Sequence, residues 1–498
     1  MRSTTRVRHA IAFVATITAA LAAALALAAC NGDDDGTGPS QTRQLLIAAI
    51  GDQLAGEPFD VTVTLADAQG TPVAADVAST ISLSVDTGLG ALGGTTSGNL
   101  AAGSSSVTIT GVTYDHGEDG VRLEATGDGG TADNLSVVSN AFTLGFDFDR
   151  QLVAFRRTIG NRVDIYLMTP DASAFVNLTD NPATDTDPAW SPDGSKIAFV
   201  SARSGNSDLW VMNVDGSGLT QLTDNEGSIR FPNWSPDGSL IAYSANVNDQ
   251  RDIYVIEAPG AGPLTPASSA AAAALQPTQV TNHPDVDNEP VWTPDGGKII
   301  FFSTRDGSDG ALWSIDFTGT GGENPVRLTL EFIFVFACAP GSGYSIVDGR
   351  IKISFVGETD GQFDIWTMDL DGSNQMNVTD DAPDDFYSDF MSDPPTLTAS
   401  GPAATSALQE SRLVFDSNRD GDWQLYSINE DGTDLVRLTN YPSDDEIPRW
   451  RPGGPFPSAP FVSAGSASAR AVSGAGSISQ SAVGEGVSLP ASTCRRQY

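Results

Sequence analysis

Short runs of apolar residues recur along most of the chain, and they predict strands rather than helices. Between about residues 44 and 145, apolar and polar residues alternate at 59–65, 81–85, 106–110 and 121–125, and turn sequences such as Asp67-Ala68-Gln69-Gly70 separate the runs. Alternation with period two places the apolar side chains on one face of a sheet. Several such strands at short spacing are typical of a β-sandwich, which we expect over 44–145.

A different unit recurs between residues 151 and 454. Trp-Ser-Pro-Asp-Gly occurs at 190–194 and 234–238, becomes Trp-Thr-Pro-Asp-Gly at 292–296, and degenerates to Trp-Arg-Pro-Gly-Gly at 450–454. An apolar strand follows each intact copy, and the same type of strand appears at 152–155, 351–355 and 413–415. A second strand follows each of these, which makes six copies. Proline presets φ for a turn and glycine accepts the left-handed position that closes it.

The strands of this unit are apolar on both faces, as expected when each small sheet lies between two others. All eight tryptophans fall in this region, where they would fill the space between sheets. The sequence therefore predicts an all-β chain: a six-bladed β-propeller preceded by an immunoglobulin-like β-sandwich. Because the region begins with the strand that follows the pentapeptide and ends with the strand that precedes it, we expect the last strand to complete the first blade.

The N-terminus has the features of a bacterial lipoprotein signal. Arg2, Arg6 and Arg8 precede an apolar run, which ends in Leu-Ala-Ala followed by Cys30. This resembles a lipobox, which implies lipidation of Cys30; an uncleaved transmembrane anchor is the alternative. Asn31, rather than an aspartate, implies the outer membrane by resemblance to enterobacterial sorting. The localisation expected is the cell envelope, on the periplasmic face or the cell surface.

These patterns divide the chain into five parts. They are a signal peptide (1–29), a polar tether (30–43), the sandwich (44–145), the propeller (151–454) and a Ser/Ala/Gly-rich tail (455–498) expected to be disordered. Loss of the signal removes three arginines and no acid, so the net charge changes from −37 to −40. Such a chain is repelled by nucleic acid, which we exclude as a partner.

The propeller unit resembles the repeat of the TolB family, which also occurs in the propellers of prolyl-oligopeptidase-type peptidases. The resemblance covers about 300 residues. It implies a periplasmic propeller that contacts other proteins, in TolB a peptidoglycan-associated lipoprotein and an inner-membrane energy transducer. The present chain departs from TolB because a β-sandwich and its own lipid anchor replace the α/β domain.

Catalytic motifs are missing from the sequence. It contains no Gly-x-Ser-x-Gly, and its histidines are His9, His116 and His283. We therefore expect no enzyme, no cofactor and no metal site. Three Asp-Gly segments (213–217, 369–373 and 429–433) resemble the start of a calcium loop but lack its remaining ligands, so we interpret them as hairpin turns.

Charged residues in two types of loop suggest a candidate site. The acids five residues before a tryptophan, with their neighbours, would line the channel mouth, and arginines in Ser-x-Arg segments would lie beside them. One interpretation is a negative funnel that attracts a cation or a basic peptide, and the other is ion pairing between adjacent blades. The candidate binding residues are Asp185, Asp187, Asp287, Glu289, Asp445, Arg203, Arg305 and Arg419.

The function predicted is that of a non-catalytic, lipid-anchored envelope protein whose propeller binds an envelope protein or a basic peptide. The alternative is a surface glycan-binding or adhesive protein, and a hydrolase-related enzyme is a weaker candidate. A glycan binder is expected to expose aromatic side chains on one face, whereas a binder of basic peptides is expected to keep the acidic funnel open.

Overall fold

The structure is a computed structural model that describes residues 42–224, 227–259, 277–306, 310–329, 334–338, 344–347, 350–359, 361–381, 383–390 and 412–452. The predicted signal peptide, the lipidation site Cys30 and the tail at 455–498 lie outside the described residues. Strands make up the regular structure of the described part, apart from one short 3₁₀ helix at Gly130–Ala132. The all-β prediction is confirmed.

Two sheets form the N-terminal unit. Its strands are β1 (Arg43–Ile47), β2 (Gln53–Leu54), β3 (Phe59–Asp67), β4 (Ser79–Thr87), β5 (Leu92–Gly94), β6 (Ser97–Leu100), β7 (Ser106–Tyr114), β8 (Glu118–Asp128), β9 (Ser136–Val138) and β10 (Phe142–Gly145). One sheet has the order β1-β3-β7-β5, and the other has β2-β10-β8-β4-β6 with β9 beside β8. Alternate residues of both sheets, such as Val61, Val63, Ile81 and Leu123, share one core. The unit is a sandwich, and its immunoglobulin-like character stays a prediction.

Six further sheets follow, which we number as blades 1 to 6. Blade 1 contains β11 (Val153–Ile159), β12 (Arg162–Met168) and β13 (Phe175–Asn177); blade 2 contains β14 (Asp185–Trp190), β15 (Lys196–Ser201), β16 (Asp208–Asn213) and β17 (Thr220–Gln221); blade 3 contains β18 (Ser228–Trp234), β19 (Leu240–Val247), β20 (Gln250–Glu257) and β21 (Thr278–Gln279).

The remaining blades are built in the same way. Blade 4 contains β22 (Asp287–Trp292), β23 (Lys298–Ser303), β24 (Ala311–Phe317) and β25 (Gly322–Arg327); blade 5 contains β26 (Phe334–Cys338), β27 (Tyr344–Val347), β28 (Arg350–Thr359), β29 (Gln362–Asp369) and β30 (Met376–Asn377); blade 6 contains β31 (Asp385–Phe390), β32 (Arg412–Ser417), β33 (Gln424–Asn429) and β34 (Val436–Arg437). The last strand, β35 (Asp444–Trp450), belongs to blade 1.

The chain closes on itself through this last strand. β35 pairs antiparallel with β11, with Val153 opposite Trp450 and Arg157 opposite Asp445. The innermost strands contact one another in the closed order β14, β18, β22, β26, β31, β35 and back to β14. The predicted pairing of the C-terminal strand with the first sheet is confirmed, and the order of contacts is the one that a ring of six blades requires.

The pentapeptide repeats hold neighbouring blades together. Gly194, Gly238 and Gly296 have φ between 65° and 72°, as the turn requires. The tryptophan of each turn bonds to the preceding blade. The indole Nε1 of Trp190 donates to the Arg449 carbonyl (3.0 Å), that of Trp234 donates to the Ala189 carbonyl (3.1 Å), and the backbone N–H of Trp292 donates to the Asn233 Oδ1 (3.0 Å). These tryptophans therefore fill space between blades and also hydrogen-bond across it.

The sandwich contacts the ring at blade 1, where β35 pairs with β11. We call this blade the seam of the ring. The backbone N–H of Phe175 in β13 donates to the Asp115 carbonyl (2.6 Å), and the N–H of Gly117 donates to the Phe175 carbonyl (2.7 Å). The His116 ring stacks on Phe175 with centroids 5.6 Å apart, and the Tyr441 hydroxyl donates to the Asp115 carboxylate. A sandwich segment thus extends the outer edge of blade 1, next to the loop that leads into the closing strand β35.

Candidate functional site

The innermost strands surround a central channel, and five of the six carry an irregularity at the same place. In β14, β18, β22, β31 and β35, two residues face one residue of the neighbouring strand, and the first of the two has φ between 46° and 56°. These five residues are Asp187, Phe231, Glu289, Tyr387 and Ile447. A bulge of this kind turns a side chain out of the regular alternation.

Proline explains the position of the bulge in four of the five strands. Pro188, Pro232, Pro290 and Pro448 each follow the bulged residue and precede the tryptophan by two positions, whereas Ser388 takes this place in β31. A proline has no N–H to donate to the ladder, so the ladder is interrupted there at low cost.

We define the channel mouth as Arg156, Arg230, Arg251, Asn288, Phe386 and Tyr387. These side chains are partly exposed and lie at the end of the ring opposite the pentapeptide turns, near the start of the innermost strands. Arg230 in blade 3 pairs with Asp187 in blade 2 (2.6 Å), and Arg156 pairs with Glu446. The mouth therefore presents guanidinium groups and aromatic rings to solvent, with the acids beneath them.

Two aromatic rings meet across the channel, one in the mouth and one buried beneath it. Phe231 in blade 3 and Tyr387 in blade 6 stack with centroids 6.3 Å apart and planes at 25°. Blades 3 and 6 are opposite each other in the ring, so this stack spans the channel axis. We call this pair of rings the aromatic floor of the mouth.

The interior below this stack holds further buried charges. Burial raises the pKa of Asp416 well above its usual value, and the charge of Glu446 acts in the same direction. Burial lowers the pKa of Arg449, which is 2% exposed. The channel interior therefore holds ionisable groups whose burial disfavours their charged forms.

Each of the three predicted arginines pairs with a buried acid of its own blade, and we call each such pair with its aromatic neighbours a box. Two of the acids were predicted, whereas Asp385 was not. Asp185 pairs with Arg203 (2.8 Å), Asp287 with Arg305 (2.7 Å) and Asp385 with Arg419 (2.9 Å). Each guanidinium lies over two aromatic rings of its own blade, with centroids 4.8–5.6 Å away; for Arg203 these are Phe199 and Trp210. The three carboxylates are fully buried, so each box is a structural unit that holds a loop against its blade.

Asp445 is paired with a residue that the sequence pattern did not single out. Its two carboxylate oxygens accept from Nε and Nη2 of Arg157 at 2.6 and 2.8 Å, and both residues are buried. Four rings surround this guanidinium, with centroids 4.3–5.1 Å away: Phe155, Tyr166, Phe175 and Tyr441. Arg157 lies in β11 itself, and therefore falls outside the Ser-x-Arg pattern.

The structure therefore corrects the expectation of an open acidic funnel. Asp185, Asp287 and Asp445 are 0% exposed, and each has its own arginine within its blade, so they form neither a shared ring of free charge nor bridges between blades. Asp187 does bridge adjacent blades, through Arg230. Glu289 is buried in the channel beneath the mouth. The acids that were expected to bind a basic peptide are therefore not available to it.

The pKa values of the paired acids follow their burial. Burial raises the pKa of Asp185 and Asp445 despite their arginines, and raises that of Asp385 to about 6. Burial acts in the same direction on Asp187, but the charges of Arg230 and Arg156 outweigh it and hold its pKa below the usual value. The pKa of Asp187 therefore favours its charged form, in contrast to those of the other three acids.

Aromatic rings line one side of the mouth. The ring of Phe386 lies 5.0 Å from that of Phe363, 5.4 Å from Trp423 and 6.3 Å from Tyr387, measured between centroids. All four are partly exposed and belong to blades 5 and 6. We call these four residues the aromatic wall. The arginines of the mouth come from blades 1 and 3, so the mouth has a cationic side and an apolar side.

One group of acids has the spacing of metal ligands. Oxygens of Asp364, Asp381 and Asp385 lie within 4.8 Å of one another. Arg419 donates to both Asp381 (3.1 Å) and Asp385, so a guanidinium already supplies positive charge to two of the three carboxylates. We therefore interpret these acids as part of the ion-pair group of Arg419.

Sequence comparison identifies the type of repeat. Residues 106–269 match the family model described as the TolB beta propeller domain, a span that runs from the last part of the sandwich into blade 3. A 43-residue stretch is 51% identical to a TolB homologue of Chlorobium luteolum, and covers 9% of this chain and 10% of that protein. The repeats are TolB-like. The chain thus spans about a tenth of the length of this curated relative, whose other properties do not transfer with so short a match.

Two solved structures give a more distant likeness. TolB from Acinetobacter baumannii is 19% identical, with a TM-score of 0.45, over 68% of this chain and 81% of that one. A puromycin-hydrolysing peptidase from Mycobacterium tuberculosis is 12% identical, with a TM-score of 0.38, over 80% of this chain and 54% of that one. Both likenesses are too weak to carry a function. Among the described residues, no helix has the length and apolarity needed to cross a membrane.

Proposed function

We propose that this protein is a non-catalytic, lipid-anchored envelope protein whose TolB-like propeller binds a protein partner at the channel mouth. The observation that carries the proposal is the mouth itself: partly exposed arginines face an aromatic wall over an aromatic floor. Arginine and aromatic residues are enriched where proteins bind one another, because each offers apolar area together with directional contacts. The domain order proposed is signal peptide, tether, sandwich, propeller and tail, as the sequence predicts.

A binding role fits the state of the ionisable groups. The buried acids Asp185, Asp287 and Asp445 are committed to ion pairs. Such pairs fix the shape of a surface, whereas a catalytic acid or base must exchange protons with a substrate. The charged groups of the ring are therefore suited to holding the mouth rigid.

Glycan binding is the second candidate, and one observation favours it. The aromatic wall is partly exposed on a single face of the ring, as expected of a surface that stacks on sugars. The same rings equally suit an apolar side chain of a protein, so the partner must be identified by experiment.

A pull-down with the full chain as bait tests the site. We expect Phe386→Ala to reduce capture of the partner from envelope extract by at least about tenfold, because Phe386 is the ring that contacts the other three of the wall. The matched control is Leu435→Ala, which removes a 42%-exposed apolar side chain outside the mouth, in the turn that precedes β34 of blade 6. Equal capture by the two variants would contradict the site.

The lipid anchor is tested separately. Cys30→Ser removes the thiol that would carry the diacylglycerol, so we expect the protein to move from the membrane fraction to the soluble fraction. Fractionation followed by immunoblotting measures this. Cys338→Ser, which leaves the lipobox intact, is the control. An unchanged membrane fraction for Cys30→Ser would support the transmembrane alternative.

A further inference from the structure

Arg251 differs from the other arginines of the mouth because it has no carboxylate partner. It lies in β20, is partly exposed, and makes one long hydrogen bond, from Nη1 to the Ser244 Oγ at 3.5 Å. Within the part of the chain that the structure describes, it forms no ion pair, whereas Arg156 and Arg230 each hold a carboxylate. An anionic ligand therefore reaches Arg251 without displacing an existing ion pair.

The surroundings of Arg251 make its charge unfavourable as it stands. Burial lowers its pKa, and the neighbouring charge of Arg230 acts in the same direction. Asp187 and Glu289 act in the opposite direction, but neither forms an ion pair with Arg251. A partly buried guanidinium without a counter-ion loses hydration that nothing replaces. A carboxylate bound from solution would supply both the missing charge and the missing acceptors.

The opposite side of the mouth supplies apolar contact. The rings of the aromatic wall pack with Phe386 at 5.0–6.3 Å, and Tyr387 also stacks on Phe231, which is adjacent to Arg230. A ligand that spans the mouth thus meets a guanidinium on one side and aromatic rings on the other. The fitting chemistry is a ligand that combines a carboxylate with an apolar side chain.

We propose that the channel mouth binds an acidic peptide segment of the protein partner, with its carboxylate on Arg251 and an apolar side chain against Phe386. This inference rests on the proposed function and names the class of ligand for the same site. It replaces the basic peptide expected from the sequence, because four of the five expected acids are paired with arginines. Arg251, in contrast, has no carboxylate partner among the described residues.

A peptide fits the wall better than an acidic sugar does. A sugar ring stacks on an aromatic face that is free on one side, whereas three neighbouring rings already surround Phe386. Phe363 and Phe386 also have no polar group to receive sugar hydroxyls. An aliphatic or aromatic side chain needs only the apolar edge that this cluster leaves.

The test uses a matched pair of capped peptides with the full chain. Acetyl-Phe-Glu-Leu-amide and acetyl-Phe-Gln-Leu-amide differ by one carboxylate and are titrated by NMR at about 0.15 M salt, where long-range repulsion from the acidic protein is screened. We expect the Glu peptide to bind about tenfold more tightly. Arg251→Ala should abolish this preference, and Arg251→Lys should keep only part of it because the fork of donors is lost.

Controls separate this inference from the proposed function. Arg122→Ala removes an exposed arginine of the sandwich and should leave the preference unchanged. Arg251→Ala should fold as the wild type does, since it loses only one weak hydrogen bond. Equal binding of both peptides by the wild type, or binding of an oligogalacturonate in place of the Glu peptide, overturns the acidic-peptide assignment. If envelope extract yields a partner that Arg251→Ala captures equally well, the proposed function stands and this inference falls.

Discussion

Removal of the chain from Ile447 onward should unfold the propeller as a whole. Ile447 and Trp450 are 0% and 2% exposed, and burial of each side chain contributes about 1.5–3 kcal/mol. The deletion also removes the Arg449 carbonyl that accepts the indole of Trp190, and exposes the edge of β11. We expect the free energy of unfolding to fall by about 5 kcal/mol or more, which is comparable to the whole stability of many domains.

Thermal unfolding followed by tryptophan fluorescence measures this effect. The matched control is deletion of 455–498, which removes none of the contacts described above and should leave the melting temperature unchanged. If the two truncations melt alike, the closing strand does not hold the ring together.

The second large effect is expected at the ion pair of the seam. Asp445→Asn keeps the shape of the side chain but leaves the Arg157 guanidinium, which is 1% exposed, without its counter-charge. Breaking a buried pair in this way costs about 3–5 kcal/mol. Denaturant unfolding of the full chain should show this loss as a lower midpoint with an unchanged slope.

A double variant distinguishes charge from packing at this seam. Arg157→Met with Asp445→Asn removes both charges and leaves a flexible apolar side chain among the four aromatic rings, so most of the stability should return. The surface pair provides a control: Asp76 is 73% exposed, and Asp76→Asn should change stability little. Equal losses from Asp445→Asn and Asp76→Asn would show that the buried pair contributes no more than a surface pair.

The fold could be predicted from the sequence because its signals are local. Each Trp-Ser-Pro-Asp-Gly turn needs its own proline and glycine, and each strand of a blade is apolar on both faces. Ring closure followed from the order of strand types along the chain, and the pairing of Val153 with Trp450 agrees with it. The contact between Phe175 and the sandwich had no such signal, since it depends on backbone groups that every residue carries.

The site was predicted less well, for a physical reason. Spacing from the tryptophan located Asp185, Asp287 and Asp445 at equivalent positions, but it gave no information on which side of the strand each carboxylate faces. The bulge reverses the side of the strand on which the next side chains lie. The residue two positions later, such as Asp187 or Glu289, therefore faces the channel instead. The proline two residues before each tryptophan was the available signal. Arg251 and the aromatic wall lie at positions where the blades differ from one another, so the repeat itself could not reveal them.

The repeated bulge also affects how this surface can change. A bulged residue stands outside the one-to-one register of the ladder, so its side chain does not have to match a directly opposite partner on the neighbouring strand. Five copies in this chain already carry an acid, a phenylalanine, a longer acid, a tyrosine and an isoleucine on nearly the same backbone. Of these five residues, Tyr387 belongs to the mouth, and the other four are buried beneath it. New specificities can arise at the mouth by single substitutions, while the blades that support it stay the same.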